Sequence, residues 1–292
     1  MVPRWARRDP LSLSCWPYLP LPIPIPSTAG TSVSLTATPA AGCVFAGWRV
    51  DGNPDVAYFA NPFTLTINSN RAVQATFAPR TAYSDVPAGD PAFEAIAQLT
   101  AAGIIRGFDA ATCAQLRRAV PCFGPDQPTL RAQAAALITR AIGRDNEQWG
   151  NRFTDLAGVD ANLQRNINTL AHYDIARGFS EAGCEARRLA YPCFLPFDNV
   201  ARVQVISFIT RAMVAEGIWV YQPDNDLGPA CRTYTNVPRA SGHCQDLATY
   251  TFYVGAVPGT TVGGVFPGYD QAGTRAFFAQ ALLQALRYDR VP

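Results

Sequence analysis

Lysine does not occur anywhere in this chain of 292 residues, so all 24 of its basic side chains are arginine. That excludes Schiff-base chemistry and a lysine general base, and leaves any anion to be met by guanidinium forks or backbone N–H groups. Charge of either sign is scarce too, at 16% of residues against roughly 25% in ordinary soluble domains. The net charge of +2 gives no electrostatic footprint for nucleic acid or an anionic membrane surface. No run approaches the roughly 18 uninterrupted apolar residues of a bilayer span. Histidine is limited to His172 and His243, and there is no Gly-x-Ser-x-Gly elbow, His-Glu-x-x-His pair or Gly-x-x-x-x-Gly-Lys loop. No spacing nominates a carboxylate pair for glycoside hydrolysis. The expectation is a protein that is not an enzyme and uses neither cofactor nor metal.

What the chain does have is an ordinary apolar fraction, 48%, enough for folded cores, and a length that suggests about two domains. It also has eight cysteines. Cys113 and Cys122 enclose eight residues, as do Cys184 and Cys193, at the same point of two sequence repeats. That recurrence predicts a local disulfide in each. The alternative, four thiolates on zinc, lacks the short two-to-four-residue spacings of structural zinc sites. Cys231 with Cys244 and Cys15 with Cys43 are candidates for two more bridges, although spacing alone leaves the pairing of these four open. Disulfides persist in oxidising compartments, which places the protein outside the cytoplasm.

Residues 1–29 read as a Pro-rich linker or a truncated leader. Arg4, Arg7 and Arg8 resemble a basic leader start, but Pro17, Pro20, Pro22, Pro24 and Pro26 forbid the helical apolar stretch that should follow. Residues 30–79 read as a small β module. Thr31 to Thr38, Phe63 to Ile67 and Ala72 to Phe77 alternate polar and apolar residues with period two, and Gly42 to Trp48 is a fourth strand-like run. The order Thr-Ala-Thr-Pro, Gly-x-x-Phe-x-Gly-Trp and a closing Ala-x-Phe resembles the divergent internalin-type B repeats of bacterial surface proteins. The resemblance implies a spacer or adhesive stalk. Phe45 and Trp48 are then either the core of this module or a ligand face, and the area that aromatics bury favours the core.

The rest of the chain repeats itself. Tyr83-Ser84-Asp85-Val86, Phe153-Thr154-Asp155-Leu156 and Tyr234-Thr235-Asn236-Val237 open three segments, and Gly107, Gly178 and Gly259 follow 24, 25 and 25 residues later. Phe123-Gly124-Pro125, Phe194-Leu195-Pro196 and Phe266-Pro267 precede second helices expected over Leu130 to Ile142, Ala201 to Met213 and Thr274 to Leu286. First helices are marked by Phe93, Ile96 and Leu99 and by Leu163, Ile167 and Leu170 on one face. A two-helix unit cannot bury its apolar face alone, so the three should pack together.

These openings, the turn Gly103-Ile104-Ile105-Arg106-Gly107, the Phe-x-Pro and the helix starts resemble the S-layer homology (SLH) family, over about residues 83 to 288. The resemblance implies an α+β multidomain chain: the small all-β module, then an α-helical bundle of three pseudo-threefold helix-loop-helix SLH repeats at 83–145, 151–216 and 232–288. It also implies attachment of an exported protein to the cell wall or S-layer, by grooves that bind anionic, often pyruvylated, secondary cell-wall polysaccharide. The candidate glycan-binding residues are Arg131, Arg202 and Arg275 in the first turns of the second helices, with the turn glycines Gly107, Gly178 and Gly259. A guanidinium there can grip a carboxylate with two parallel hydrogen bonds, aided by the helix dipole. The acidic residue of the family's Thr-Arg-Ala-Glu is Gln133, Gln204 and Phe277 here.

Two bland alternatives stand beside this reading. A repeated Arg can simply bridge to a neighbouring segment's carbonyls, and Asp85 and Asp155 can fix turns through backbone N–H groups. Arg140 and Arg211, late in their helices, suit the helix dipole. A second functional reading makes the disulfide loops, with Tyr191, Phe194 and Phe197, contacts between copies of the protein in a sheet or filament.

Overall fold

The computed structural model describes Cys15 and residues 30–51, 58–224 and 228–288. The linker or leader expected over residues 1–29 therefore lies, apart from Cys15, outside the described residues. The chain divides into two compact units, residues 1–123 with 286–292, and residues 124–285.

In the first unit, β1 (Thr31–Leu35) pairs antiparallel with β3 (Phe63–Ile67), Thr31 opposite Ile67 and Leu35 opposite Phe63. β2 (Cys43–Val50) pairs antiparallel with β4 (Val73–Pro79), with a register shift between Phe45 and Gly47. The four strands make two two-stranded sheets, too small to be stable without a shared apolar interior. Phe45, Trp48, Phe63 and Leu65 supply it, all buried. Phe45 and Trp48 meet edge to face at 5.5 Å, and the Trp48 indole donates to the Ala60 carbonyl at 2.9 Å, which satisfies its one polar atom. These two aromatics are core, not a ligand face. A disulfide joins Cys15 to Cys43.

α1 (Phe93–Ala101) packs on β2 and β4 with Ile96 and Leu99 inward. After it, α2 (Ala110–Gln115) is a short helix capped by the Asp109 carboxylate, which accepts from Thr112 N–H at 2.7 Å. It carries Cys113, disulfide-bonded to Cys122.

The second unit is helical: α3 (Arg131–Ala141), α4 (Ala161–His172), α5 (Glu181–Glu185), α6 (Arg202–Ala215), α7 (Cys244–Val254) and α8 (Arg275–Leu286). α3 packs on α4, α6 packs on α7, and α3 also meets α6. Disulfides join Cys184 to Cys193 and Cys231 to Cys244. α7 is a helix that spacing did not pick out, and its buried face explains why. Asp246 and Thr249 are 4% and 0% exposed, so part of that face is polar and breaks the apolar period. Asp246 is compensated by Arg211 at 2.7 Å, and the Thr249 hydroxyl donates to the Gln245 carbonyl at 2.8 Å. Among the described residues no helix is long and apolar enough to cross a membrane.

Candidate functional site at the arginine-started helices

α3, α6 and α8 each begin on an arginine, and their first two N–H groups have no partner within the helix. Each pair is satisfied by carbonyls of another segment's loop. Arg131 and Ala132 donate to Asp198 and Pro196 at 2.9 and 3.0 Å. Arg202 and Val203 donate to Gln271 and Tyr269, both at 2.9 Å. Arg275 and Ala276 donate to Gln127 and Pro125 at 2.8 and 2.9 Å. Just ahead of the helices, three backbone hydrogen bonds close a ring: Thr129 N–H to Gly273 O, Gly273 N–H to Val200 O, and Val200 N–H to Thr129 O, at 2.8 to 2.9 Å. The first two N–H groups of each of these helices thus donate to protein carbonyls. Protein carbonyls already occupy the positive end of the dipole.

The three arginine side chains differ. Arg131 is 3% exposed. Its Nε donates to the Phe194 carbonyl at 2.7 Å and its Nη1 to the Gln204 side chain at 3.0 Å. The guanidinium lies over Phe179 and Phe194 at 4.7 Å and Phe208 at 5.6 Å. Burial pushes its pKa down to about 10, with Asp198 and Asp155 opposing, so it stays a cation at neutral pH. Arg202 keeps an intermediate exposure. Its Nη1 donates to the Pro267 carbonyl at 2.6 Å, and its guanidinium lies 4.4 Å from the Phe277 ring centre and 5.3 Å from Phe266. Arg275 is 9% exposed. Arg131 and Arg202 thus do bridge to a neighbouring segment's carbonyls, and Arg202 is the most accessible of the three.

The helix starts also account for the altered motif. A Thr-x-x-Glu sequence is a capping box, with each side chain serving the other's backbone N–H. Gln133 and Gln204 keep the back-reaching half, accepting from Leu130 N–H at 3.3 Å and Ala201 N–H at 3.2 Å. Thr274 keeps the forward half, accepting from Phe277 N–H at 3.2 Å. A neutral amide oxygen does the capping that a carboxylate would, and the Gln204 oxygen also receives Arg131.

Each segment's opening residues clamp the loop before its second helix. Asp85 accepts from Phe123 N–H at 2.8 Å and pairs with Arg118 at 3.0 Å. Asp155 accepts from Phe194 N–H at 2.8 Å and Leu195 N–H at 2.7 Å. Asn236 accepts from Phe266 N–H at 2.8 Å and donates to the same residue's carbonyl at 2.9 Å. The opening ring packs on that phenylalanine each time: Tyr83 on Phe123, Phe153 on Phe194, Tyr234 on Phe266, at 5.2 to 5.5 Å. The hydrogen bonds of these clamps reach 30 to 40 residues along the chain. The Asp side chains fix the loop to its own segment rather than capping a neighbouring turn.

Two of the turn glycines, Gly107 and Gly178, sit under the same rings. A Cβ on Gly107 would fall 2.5 Å from the Tyr83 ring and 2.7 Å from the Cys122 carbonyl. On Gly178, at φ +76°, it would fall 2.6 Å from both Phe153 and the Cys193 carbonyl. Close packing accounts for both glycines. Gly259, at φ +74°, has open space around it.

Sequence reasoning missed the aromatic set that encloses the Arg131 guanidinium, namely Phe179 and Phe208, and the exposed Arg187. Arg187 lies 4.9 Å from the Phe179 ring centre and 3.9 Å from Asp198. Only the Arg-Gly-Phe recurrence at Arg106-Gly107-Phe108 and Arg177-Gly178-Phe179 carried any signal for Phe179.

Comparison with known families places a divergent InlB B-repeat domain at residues 24–81 and an S-layer homology domain at residues 82–135. No curated protein matches the chain.

Proposed function

From an S-layer homology domain that follows a divergent InlB B-repeat domain, we propose that this chain holds an exported protein on its cell wall by gripping an anionic wall glycan in a groove beside Arg202. Both matched domains are non-catalytic surface-binding types, and S-layer homology domains attach to the cell surface by binding cell-wall polysaccharide. Residues 83–145, 151–216 and 232–288 are three such repeats. The ring through Thr129, Val200 and Gly273 and the three opening clamps support that division.

The observation that carries the choice of groove is the contrast in exposure. Arg131 is enclosed by carbonyl, amide and three rings, whereas Arg202 is bound through Nη1 to Pro267 O and keeps solvent access. A guanidinium offers five N–H donors, so Arg202 has donors left for a carboxylate, such as that of a pyruvate ketal. Phe266 and Phe277 beside it hold the fork in place.

The test is co-sedimentation of the full chain with purified sacculi, before and after chemical removal of the attached polysaccharide. Losing a charge-assisted contact is worth about 1.5–3 kcal/mol, so Arg202→Ala should bind about tenfold or more weakly. Arg131→Ala should instead lower stability, because it strips partners from the buried Phe194 carbonyl and Gln204 amide. Undiminished binding by Arg202→Ala, or binding that survives removal of the polysaccharide, would refute the groove. Sedimentation of the chain without sacculi would favour assembly through loops that expose Tyr191 and Phe197, 58% and 60% accessible.

A further inference from the structure

The segment between α3 and α4 carries an indole that the fold exposes yet holds in place. Trp149 is 40% exposed, and its ring lies parallel to that of His172, centres 3.3 Å apart and planes 10° apart. Tyr173 stands edge-on to both, at 87° and 88°. The indole N–H donates to Glu147 Oε2 at 2.9 Å. Glu147 is itself held through Oε1 by Arg144 at 2.8 Å and by the Tyr173 hydroxyl at 3.3 Å. Arg144 reaches on to Glu216 at the end of α6, and its guanidinium lies 4.3 Å from the Tyr173 ring centre.

This network accounts for one face and the polar edge of the indole. Since His172 covers that face, the exposed surface of Trp149 belongs to the opposite face and rim, and His172 is itself exposed. A tryptophan that served only to pin the segment would gain more by turning inward, as Trp219 does at 1% exposure. An open, flat, electron-rich face with a carboxylate and a tyrosine ring at its edge suits a ligand that is apolar on one side and hydroxylated at its edge. A pyranose ring fits: its axial C–H bonds carry partial positive charge toward the negative π face, and its hydroxyls meet the rim. The ordering of Trp149 before any ligand arrives lowers the entropy that binding must spend.

We propose that Trp149, backed by His172 and steered by Glu147, is a sugar-stacking platform that binds a pyranose unit of wall polysaccharide. The choice of wall glycan as the sugar's source rests on the functional reading above, while the platform's geometry is independent of the Arg202 groove.

The test uses the full chain and polysaccharide released from purified sacculi. His172 and His243 are the only histidines, so the imidazole C–H resonances give one reporter at the platform and one half-buried control elsewhere. Added polysaccharide should shift the His172 signal and leave His243 in place. Trp149→Ala should weaken binding about tenfold, and Trp149→Phe, which keeps a flat ring, should bind within about twofold of the parent. A silent His172 signal, or full affinity in Trp149→Ala, would overturn the platform. Loss in Trp149→Ala with Arg202→Ala unaffected would keep the platform and sink the groove, and the reverse pattern would do the opposite.

Discussion

A single missing Cβ is where this protein's packing is least forgiving. Gly178 combines a positive φ with contact to Phe153 and the Cys193 carbonyl, whereas Gly259 has a similar φ and empty surroundings. Gly178→Ala should therefore cost about 2–4 kcal/mol by adding a clash to backbone strain, and Gly259→Ala only about 1 kcal/mol. Urea unfolding of the two variants should separate them. His243 provides a second residue-scale test. Burial, aided by Arg211 and Arg131 and opposed by Asp246, pushes its pKa down to about 4, and Ser207 Oγ lies 2.8 Å from its Nδ1. The unfolded chain takes up this proton near the ordinary value of about 6.5, so the folded state loses stability as pH falls from there toward 4. The loss should reach up to about 3 kcal/mol, and it should shrink in His243→Gln when unfolding midpoints are compared at pH 7 and pH 4.

Within the elements, short-range order and long-range order have separate sources. Helix starts at Leu130 and Ala201 were legible from their recurrence behind a Phe and Pro with an Arg in the first turn, and most of the strands were legible from their period of two. The short helices α2 and α5, which carry the first cysteine of each disulfide loop, were not, since neither is long enough to show a period. The opening clamps were legible as recurring Asp, Asp and Asn, but their partners were not, because nothing local marks an N–H group 39 residues away as the one to be accepted. Asp155→Ala should leave the Phe194 and Leu195 N–H groups without their acceptor and cost about 2–4 kcal/mol. Asp155→Asn should recover much of that, since Asn236 fills the same role in the third segment. Thermal unfolding of both variants would show whether the clamp works through geometry or through charge.

Across residues 124–285, the ring through Thr129, Val200 and Gly273 makes the stability of one segment depend on the others. Ending the chain at residue 216 removes the acceptor of Thr129 N–H and the donor to Val200 O. It also strips α6 of three partners: His243 for Ser207, the Asp246 carbonyl for Thr210 and the Asp246 carboxylate for Arg211. The truncated chain should lose its cooperative transition by circular dichroism, although each remaining helix keeps its own sequence signals.

The sequence by itself determined what depends on spacing along the chain: strand alternation in 31–77, helix starts and apolar faces, the recurrence of paired cysteines, and the absence of catalytic motifs. Those features need only neighbours within about one or two turns to express themselves. Tertiary structure alone decided what each repeated residue touches. Arg131 and Arg202 occupy the same place in their helices, yet one is enclosed by three rings and the other reaches solvent. Trp149 is held in an exposed position because Glu147, ahead of α4, takes its indole N–H and His172, at the end of α4, stacks on its face. Such outcomes turn on which distant groups meet and how much water they exclude, and these are set by packing, not by pattern.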